Sequence, residues 1–262
     1  MSEVALLLTE LKSNVLTIVL NRPKVNALNF ELIAALQAAF KQAECDNQVR
    51  CVLLAGNGAA FCAGQDITEF RQSENLSYRA HLHKSYNPLI LQIRRLEKPV
   101  LAAIHGAASG AGLGIALACD LRIAAEEARF VVGFSGIGLA PDSAVSLLLP
   151  ALIGLGRALE FTFTNATISA AQALDWGLVN RLAPTAALRE QAFAWAEQLG
   201  GGPMHAMGLA KRTYNQAVLS NLEQVLDYEA HIQEIAGHAA EHQEGVAAFL
   251  EKRPPKFILS QN

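Results

Sequence analysis

The sequence predicts an α/β fold with a mainly helical C-terminal region, and three observations carry that reading. Short apolar runs suited to buried strands alternate with longer runs whose apolar residues recur at helical spacing, the order expected of parallel βαβ units. Of the 262 residues, 52% are hydrophobic and 17% charged, which is enough apolar material for one large domain with much internal or subunit-facing surface. The stretch Leu101–Ala124 sets a turn of glycine, alanine and serine between an apolar strand and an apolar helix. Small residues there let a ligand approach the backbone and leave the first N–H groups of the helix free to meet an anion, although they serve a tight βα connection equally well.

Taken in order, Val4–Glu10 and Val15–Leu20 read as two strands joined by the polar turn Lys12-Ser13-Asn14, a hairpin signal. Asn29 caps a helix over Phe30–Ala43, where Leu32, Ile33, Leu36, Ala39 and Phe40 share one face. Cys51–Ala55 is a buried strand ending at Gly56-Asn57-Gly58. Ser77–Leu96 is a polar helical stretch with His81 and His83 turned to solvent, closed by Lys98-Pro99. Strand Val100–Ile104 leads into the small-residue turn, and Leu121–Ala124 and Ala128–Val132 are further strands. Residues 133–142 form a loop, and Asp142-Ser143 opens a helix through Leu149. Helices are also expected at Ala158–Phe163, Ala170–Trp176, Thr185–Leu199, Met204–Leu219, Leu222–Gly237 and His242–Glu251. The break Gly200-Gly201-Gly202-Pro203 divides a core, 1–199, from a C-terminal helical oligomerisation region, 200–262.

A net charge of −3 gives no reason to expect nucleic acid or an anionic membrane as partner. The N-terminus lacks a basic leader, and no apolar run is long and unbroken enough to span a bilayer, so a cytoplasmic protein is expected. The four cysteines, Cys45, Cys51, Cys62 and Cys119, show no CxxC spacing and no nearby histidine pair; reduced core thiols are expected, and no metal site.

One series of motifs begins with Leu20-Asn21-Arg22-Pro23 and Asn26-Ala27-Leu28-Asn29, then Phe61-Cys62-Ala63-Gly64-Gln65-Asp66-Ile67 and Gly106-Ala107-Ala108-Ser109-Gly110-Ala111-Gly112. Ala118-Cys119-Asp120, Gly138-Leu139-Ala140-Pro141, Ala170–Val179 and the closing Glu244–Arg253 continue it over nearly the whole chain. Together, in order and spacing, they resemble the crotonase, or enoyl-CoA hydratase/isomerase, superfamily. The resemblance implies a crotonase-like spiral of ββα units, assembled as a homotrimer or dimer of trimers. It also implies an acyl-CoA thioester as substrate, with no cofactor beyond the CoA that the substrate carries.

Carried over by motif, Ala63 and Ala111 supply the backbone N–H groups that hold the thioester oxygen. Enolising a thioester puts negative charge on that oxygen, and losing one such donor typically costs about 3 kcal/mol of transition-state stabilisation. Gly64, Gly110 and Gly112 keep the approach clear, and Arg22, Ala27, Gln65, Asp66, Ile67, Phe134 and Leu139 belong to the substrate-binding set. Asp66 orders its turn or caps the helix after it, and Asp120 is structural. Phe249 and Lys252 match positions that help hold the CoA adenine and phosphates, a task a solvated lysine need not perform.

The resemblance implies two glutamates in typical hydratases, at positions occupied here by Gly114 and Phe134. Neither can move a proton, and a placed acid–base group is worth about 100- to 10,000-fold. The run ending in Pro141-Asp142-Ser143, with Leu147-Leu148-Leu149-Pro150 after it, resembles instead the ring-1,2-epoxyphenylacetyl-CoA isomerases of phenylacetate degradation, whose aspartate at this position is the catalytic acid–base. Among Phe134, Ile137 and Leu139, Asp142 would have a raised pKa. The same Pro-Asp-Ser pattern is also an ordinary helix N-cap. Ala144-Val145-Ser146 depart from the small glycines usual after Asp-Ser in those isomerases. Three readings are open: an acyl-CoA isomerase working through an enolate, an enoyl-CoA hydratase with Asp142 as sole acid–base, and a non-catalytic acyl-CoA-binding subunit. Acyl specificity is assigned to the segment Thr68–Ile93.

Overall fold

The computed structural model describes residues 5–68 and 77–258; Val4 and the 69–76 part of the acyl-specificity segment lie outside them. Strands β1 (Leu7–Lys12) and β2 (Val15–Leu20) form an antiparallel hairpin. Its turn is Ser13-Asn14 alone, both residues left-handed at φ 47° and 61°, as the natural twist of a two-residue hairpin demands. Lys12 therefore pairs with Val15 inside the ladder instead of belonging to the turn. Asn29 caps α1 (Phe30–Cys45), its side chain accepting from the Leu32 N–H at 3.0 Å.

The main sheet continues with β3 (Cys51–Gly56) and β4 (Val100–Ile104), and then β6 (Leu121–Ala125) and β9 (Arg181–Ala183), all parallel to β2. Its order is β1-β2-β3-β4-β6-β9. A second sheet joins β5 (Ala107–Ser109), β7 (Arg129–Val131) and β8 (Thr167–Ser169). Strands β5, β8 and β9 are three residues each, too short to show a period in the sequence.

The single helix expected over Ser77–Leu96 is two, α2 (Tyr78–Lys84) and α3 (Tyr86–Arg95). Ser85 breaks them: its hydroxyl returns to the His81 carbonyl at 2.6 Å, and Pro88 in the first turn of α3 has no N–H to carry a ladder through. His81 is buried beside Phe30, Tyr86 and Gln65, correcting the expected exposure; His83 stays outside and meets Asp227. Helix α4 (Ala111–Ala118) is buried at every position, and Arg122 closes its end by donating to the Cys119 carbonyl at 2.7 Å. Asp120 is structural as expected, accepting from Arg94, Lys211 and the Val100 N–H.

Asp142 does not cap a helix. Helix α5 (Val145–Ile153) begins after two left-handed residues, Ser143 (φ 57°) and Ala144 (φ 61°), with no side-chain cap bond from Ala144. Next come helices α6 (Leu155–Thr164) and α7 (Ala170–Asp175), then α8 (Leu188–Gly200), α9 (Met204–Val218), α10 (Leu222–Gly237) and α11 (Ala240–Glu251). Beyond the Gly200–Pro203 break the chain folds back: α10 packs on α2 and α5, and α11 packs on the short 3-10 turn Ser135–Ile137. Three of the thiols are buried and unpaired as expected, whereas Cys45 is exposed.

Candidate active site

Two loops meet where the sheets adjoin. Residues 62–65 lie between β5 and Leu28: the Cys62 N–H donates to the Ala107 carbonyl at 3.1 Å, Ser109 donates back to Cys62 at 3.0 Å, and Leu28 donates to Gly64 at 2.7 Å. Gly64, at φ 90°, lies against Gly110; a side-chain carbon on it would sit 2.9 Å from the Ser109 carbonyl. This close approach brings Ala63 beside the start of α4. The Ala111 N–H, first in that helix, has no hydrogen-bond partner among the described residues, whereas the Ala63 N–H donates to the Val25 carbonyl at 3.0 Å.

Both alanines line a cavity of about 800 Å³, with Ala27, Gly64, Gln65, Asp66, Ile67, Gly110, Phe134, Leu139, Asp142 and Phe249 also in its wall. Phe249 is exposed, at the rim. Three predicted residues lie elsewhere. Gly112 faces Cys62, and an added side-chain carbon would lie 2.6 Å from the Cys62 carbonyl and sulfur; its smallness serves packing instead of ligand approach. Arg22 acts behind the wall, donating to Asp66 at 2.6 Å and to the Ala27 carbonyl at 3.0 Å. Lys252 is exposed in a left-handed turn closing α11.

Two carboxyl groups line the cavity among the described residues, and their environments push them apart. Burial raises Asp66, but hydrogen bonds from Thr68 and Arg22 outweigh it and hold that carboxyl below the usual range. Asp142 is buried with no cation beside it among the described residues, and burial pushes it up to about 6 against the pull of Ser143 and Gln233. Only a carboxyl poised near neutrality both takes and returns a proton readily. Its oxygens are held by the Ser143 hydroxyl at 2.7 Å and by Gln233 Nε2 at 2.7 Å.

The missing glutamates are also explained. Gly114 is no vacant slot: a side-chain carbon there would meet Ser143 Cβ at 2.6 Å and the Ser143 carbonyl at 2.9 Å. The segment carrying Asp142 packs against the helix at the position where the resemblance puts a hydratase glutamate. Phe134, at the other, presents an apolar ring to the cavity.

A model of the family described as enoyl-CoA hydratase/isomerase matches residues 10–259. The chain belongs to that family. Among its relatives, 1,2-epoxyphenylacetyl-CoA isomerase of Escherichia coli (strain K12) is 39% identical over 96% of this chain and 97% of its own. A probable enoyl-CoA hydratase of Rhodobacter capsulatus is 38% identical over 95% and 96%, and 4-chlorobenzoyl coenzyme A dehalogenase-2 of an Arthrobacter species 36% over 82% and 79%. An enoyl-CoA hydratase structure from Mycobacterium avium subsp. paratuberculosis K-10 superposes with TM-score 0.88 at 32% identity, covering 98% of this chain and all of that one. The fold is therefore the family's spiral. Several chemistries share it among these relatives, so the reaction has to be argued from the site.

Sequence reasoning missed a polar wall that the helices bring to the cavity. His81 and Tyr86 both meet Gln65 Oε1, the histidine at 3.2 Å, and burial pushes His81 down to about 4, so it is neutral at physiological pH. His242 Nδ1 lies 2.7 Å from the Ile137 carbonyl, which can only accept, so its proton sits there and Nε2 accepts the Tyr78 hydroxyl at 2.8 Å. Gln233 and the buried Glu229 come from α10, about 90 residues beyond Asp142. Pro88 was a readable signal for the helix break behind His81; none marked Glu229, Gln233 or His242, whose helical spacing looks like any amphipathic helix.

Proposed function

We propose that this protein is a cytoplasmic acyl-CoA isomerase that shifts a double bond, or opens an epoxide-derived ring, through a thioester enolate. One observation carries the reading: Asp142 is the cavity carboxyl whose burial poises it near neutrality, while Asp66 is committed to Arg22 and Thr68. The ionised Asp142 takes a proton from the carbon next to the thioester carbonyl, or from its vinylogue. The electron pair moves onto the thioester oxygen, which the Ala63 and Ala111 N–H groups hold as it becomes an enolate. The pair then returns, and the proton goes from Asp142 to another carbon of the acyl chain. No atom is gained or lost, and the cycle draws on no separate cofactor.

Gln65, Ile67, Phe134 and Leu139 shape the acyl site in this reading, and Phe249 and Lys252 meet the CoA end. Assembly as a homotrimer or dimer of trimers is part of the proposal. It is supported by Leu155, Leu159 and Phe163, which stand exposed at four-residue spacing along α6, and light scattering coupled to size exclusion tests it.

The deciding experiment is an acyl-CoA panel read by mass and ultraviolet absorbance. Isomerisation of a 3-enoyl-CoA to the 2-enoyl form conserves mass, and Asp142→Ala abolishes it while CoA binding persists; unchanged turnover in that variant would sink the assignment. Gain of a water from crotonyl-CoA at a comparable rate would favour the hydratase named among the relatives. Binding without turnover across the panel would make the chain a non-catalytic subunit.

A further inference from the structure

We propose that Gln233 is a positioning residue that stays bonded to Asp142 in both of its protonation states, which makes α10 part of the acid–base machinery. The inference rests on Asp142 being the proton carrier. Gln233 is buried, and its Nε2 donates to Asp142 Oδ2 at 2.7 Å. Its other end, Oε1, is buried and has no hydrogen-bond partner among the described residues. A buried amide oxygen left unbonded is costly, so its presence beside a titrating carboxyl calls for a reason.

The chemistry supplies one. A carboxylate only accepts, and the amide N–H matches it. Once Asp142 carries the proton it becomes an O–H donor, and a half-turn of the amide presents Oε1 as the acceptor. An amide with one end used and one in reserve fits a group that must exist in both forms within each turnover.

The rest of the surroundings leave that task to Gln233. On Asp142's own segment, the Ser143 hydroxyl donates to Oδ1. On α10, Glu229 is one turn before Gln233 and faces the same segment, but its oxygens take the Ala144 N–H at 2.8 Å, the Ser146 N–H at 3.0 Å and the Ser146 hydroxyl at 2.5 Å. It thereby caps α5 and fixes the two left-handed residues after Asp142. Helix α4 brings no titratable side chain, and His242 of α11 is engaged by Tyr78 and Ile137. So α10 holds the backbone of the acid–base segment with Glu229 and its carboxyl with Gln233.

The test compares Gln233→Met, Gln233→Glu and Asp142→Asn with the parent protein, measuring kcat/KM for 3-enoyl-CoA isomerisation and the melting temperature across pH 4 to 9. Methionine keeps the length but takes away the N–H that favours the carboxylate, so the acid limb of the rate profile moves up by about one pH unit, and kcat falls by about tenfold or more as the carboxyl loses its hold. Glutamate keeps length and polarity, carries the test if the methionine variant does not fold, and displaces the acid limb too, because two buried carboxyl groups in contact share one proton and titrate as a pair. Folded variants whose acid limb coincides with the parent's would overturn the inference. Asp142→Asn judges the underlying reading separately: if it retains turnover, Asp142 is not the proton carrier. The coupling to Gln233 is then read from stability alone, where the pH at which melting begins to fall must differ between Gln233→Met and the parent.

Discussion

Replacing Gly114 with alanine asks whether the position that lacks a hydratase glutamate is spare room or a packing requirement. A glycine inside a helix is about 0.5–1 kcal/mol worse than alanine, so at an indifferent site Gly114→Ala would stabilise α4. Here the added carbon would lie 2.6 Å from Ser143 Cβ, 2.9 Å from the Ser143 carbonyl and 3.3 Å from Val145 Cγ2. Two of these are closer than real contacts allow, and Ser143 is wholly buried and is the first of two left-handed residues, a backbone with little freedom to give. Overpacking of this kind costs about 1–3 kcal/mol. Set against the helix-propensity gain, the middle of these ranges leaves a net loss of about 1 kcal/mol, a fall of roughly 2–4 °C in melting temperature for a chain of this size. Because Ser143 is the neighbour of Asp142, its displacement also lowers the kcat of the proposed isomerisation, by about 10- to 100-fold for a shift approaching 1 Å. Calorimetry and steady-state rates on the same preparation decide it. A variant as stable and active as the parent, or more so, would refute the claim that the Asp142 segment occupies this space.

Other perturbations have outcomes of known sign. The folded protein keeps the Asp142 proton up to about pH 6, whereas an ordinary aspartate releases it near 3.8, so stability falls as pH rises through that window, by roughly 3 kcal/mol in all. Asp142→Asn is accordingly inactive yet melts higher than the parent at pH 8, with the advantage gone below pH 4; equal melting at pH 8 would show that the carboxyl ionises without cost. Asn29→Ala loses the cap of α1 and about 1 kcal/mol of stability, with turnover unchanged, as urea titration and rate assays can check. Asp120→Ala leaves Arg94 and Lys211 facing each other without their shared carboxylate, and urea unfolding should register a loss of roughly 3 kcal/mol or more.

How far apart the interacting residues lie decided which features were legible in the sequence. Local patterns were: the Asn29 cap, the parallel strands, and the paired loops of Ala63 and Ala111. So was the placing of Asp142 among Phe134, Ile137 and Leu139, which line the same cavity. The readings that shifted depended on distant partners. Pro141-Asp142-Ser143 has the local form of a cap, but Glu229, 85 residues on, takes the Ala144 N–H and frees the aspartate from that duty. Gly112 belongs to a ligand turn by sequence, yet Cys62 on another loop decides its neighbour. His81 looked solvent-facing because its stretch reads as polar, while the residues it packs against, Gln65 and Phe30, come from other parts of the chain.

The bond between the Ala63 N–H and the Val25 carbonyl makes the proposed oxyanion site one with a resident competitor. An incoming thioester oxygen must contend with an amide oxygen already in place. A thioester carbonyl is the poorer acceptor of the two, whereas an enolate oxygen, bearing charge, is the better by far. The Ala63 hydrogen would thus change hands as the proton leaves the substrate, and the exchange favours the enolate over the ground state. Binding strength withheld from the substrate and released to the intermediate raises turnover instead of merely tightening the complex, so in the proposed reaction the Val25 backbone carbonyl would take part in selecting which chemical state the protein holds.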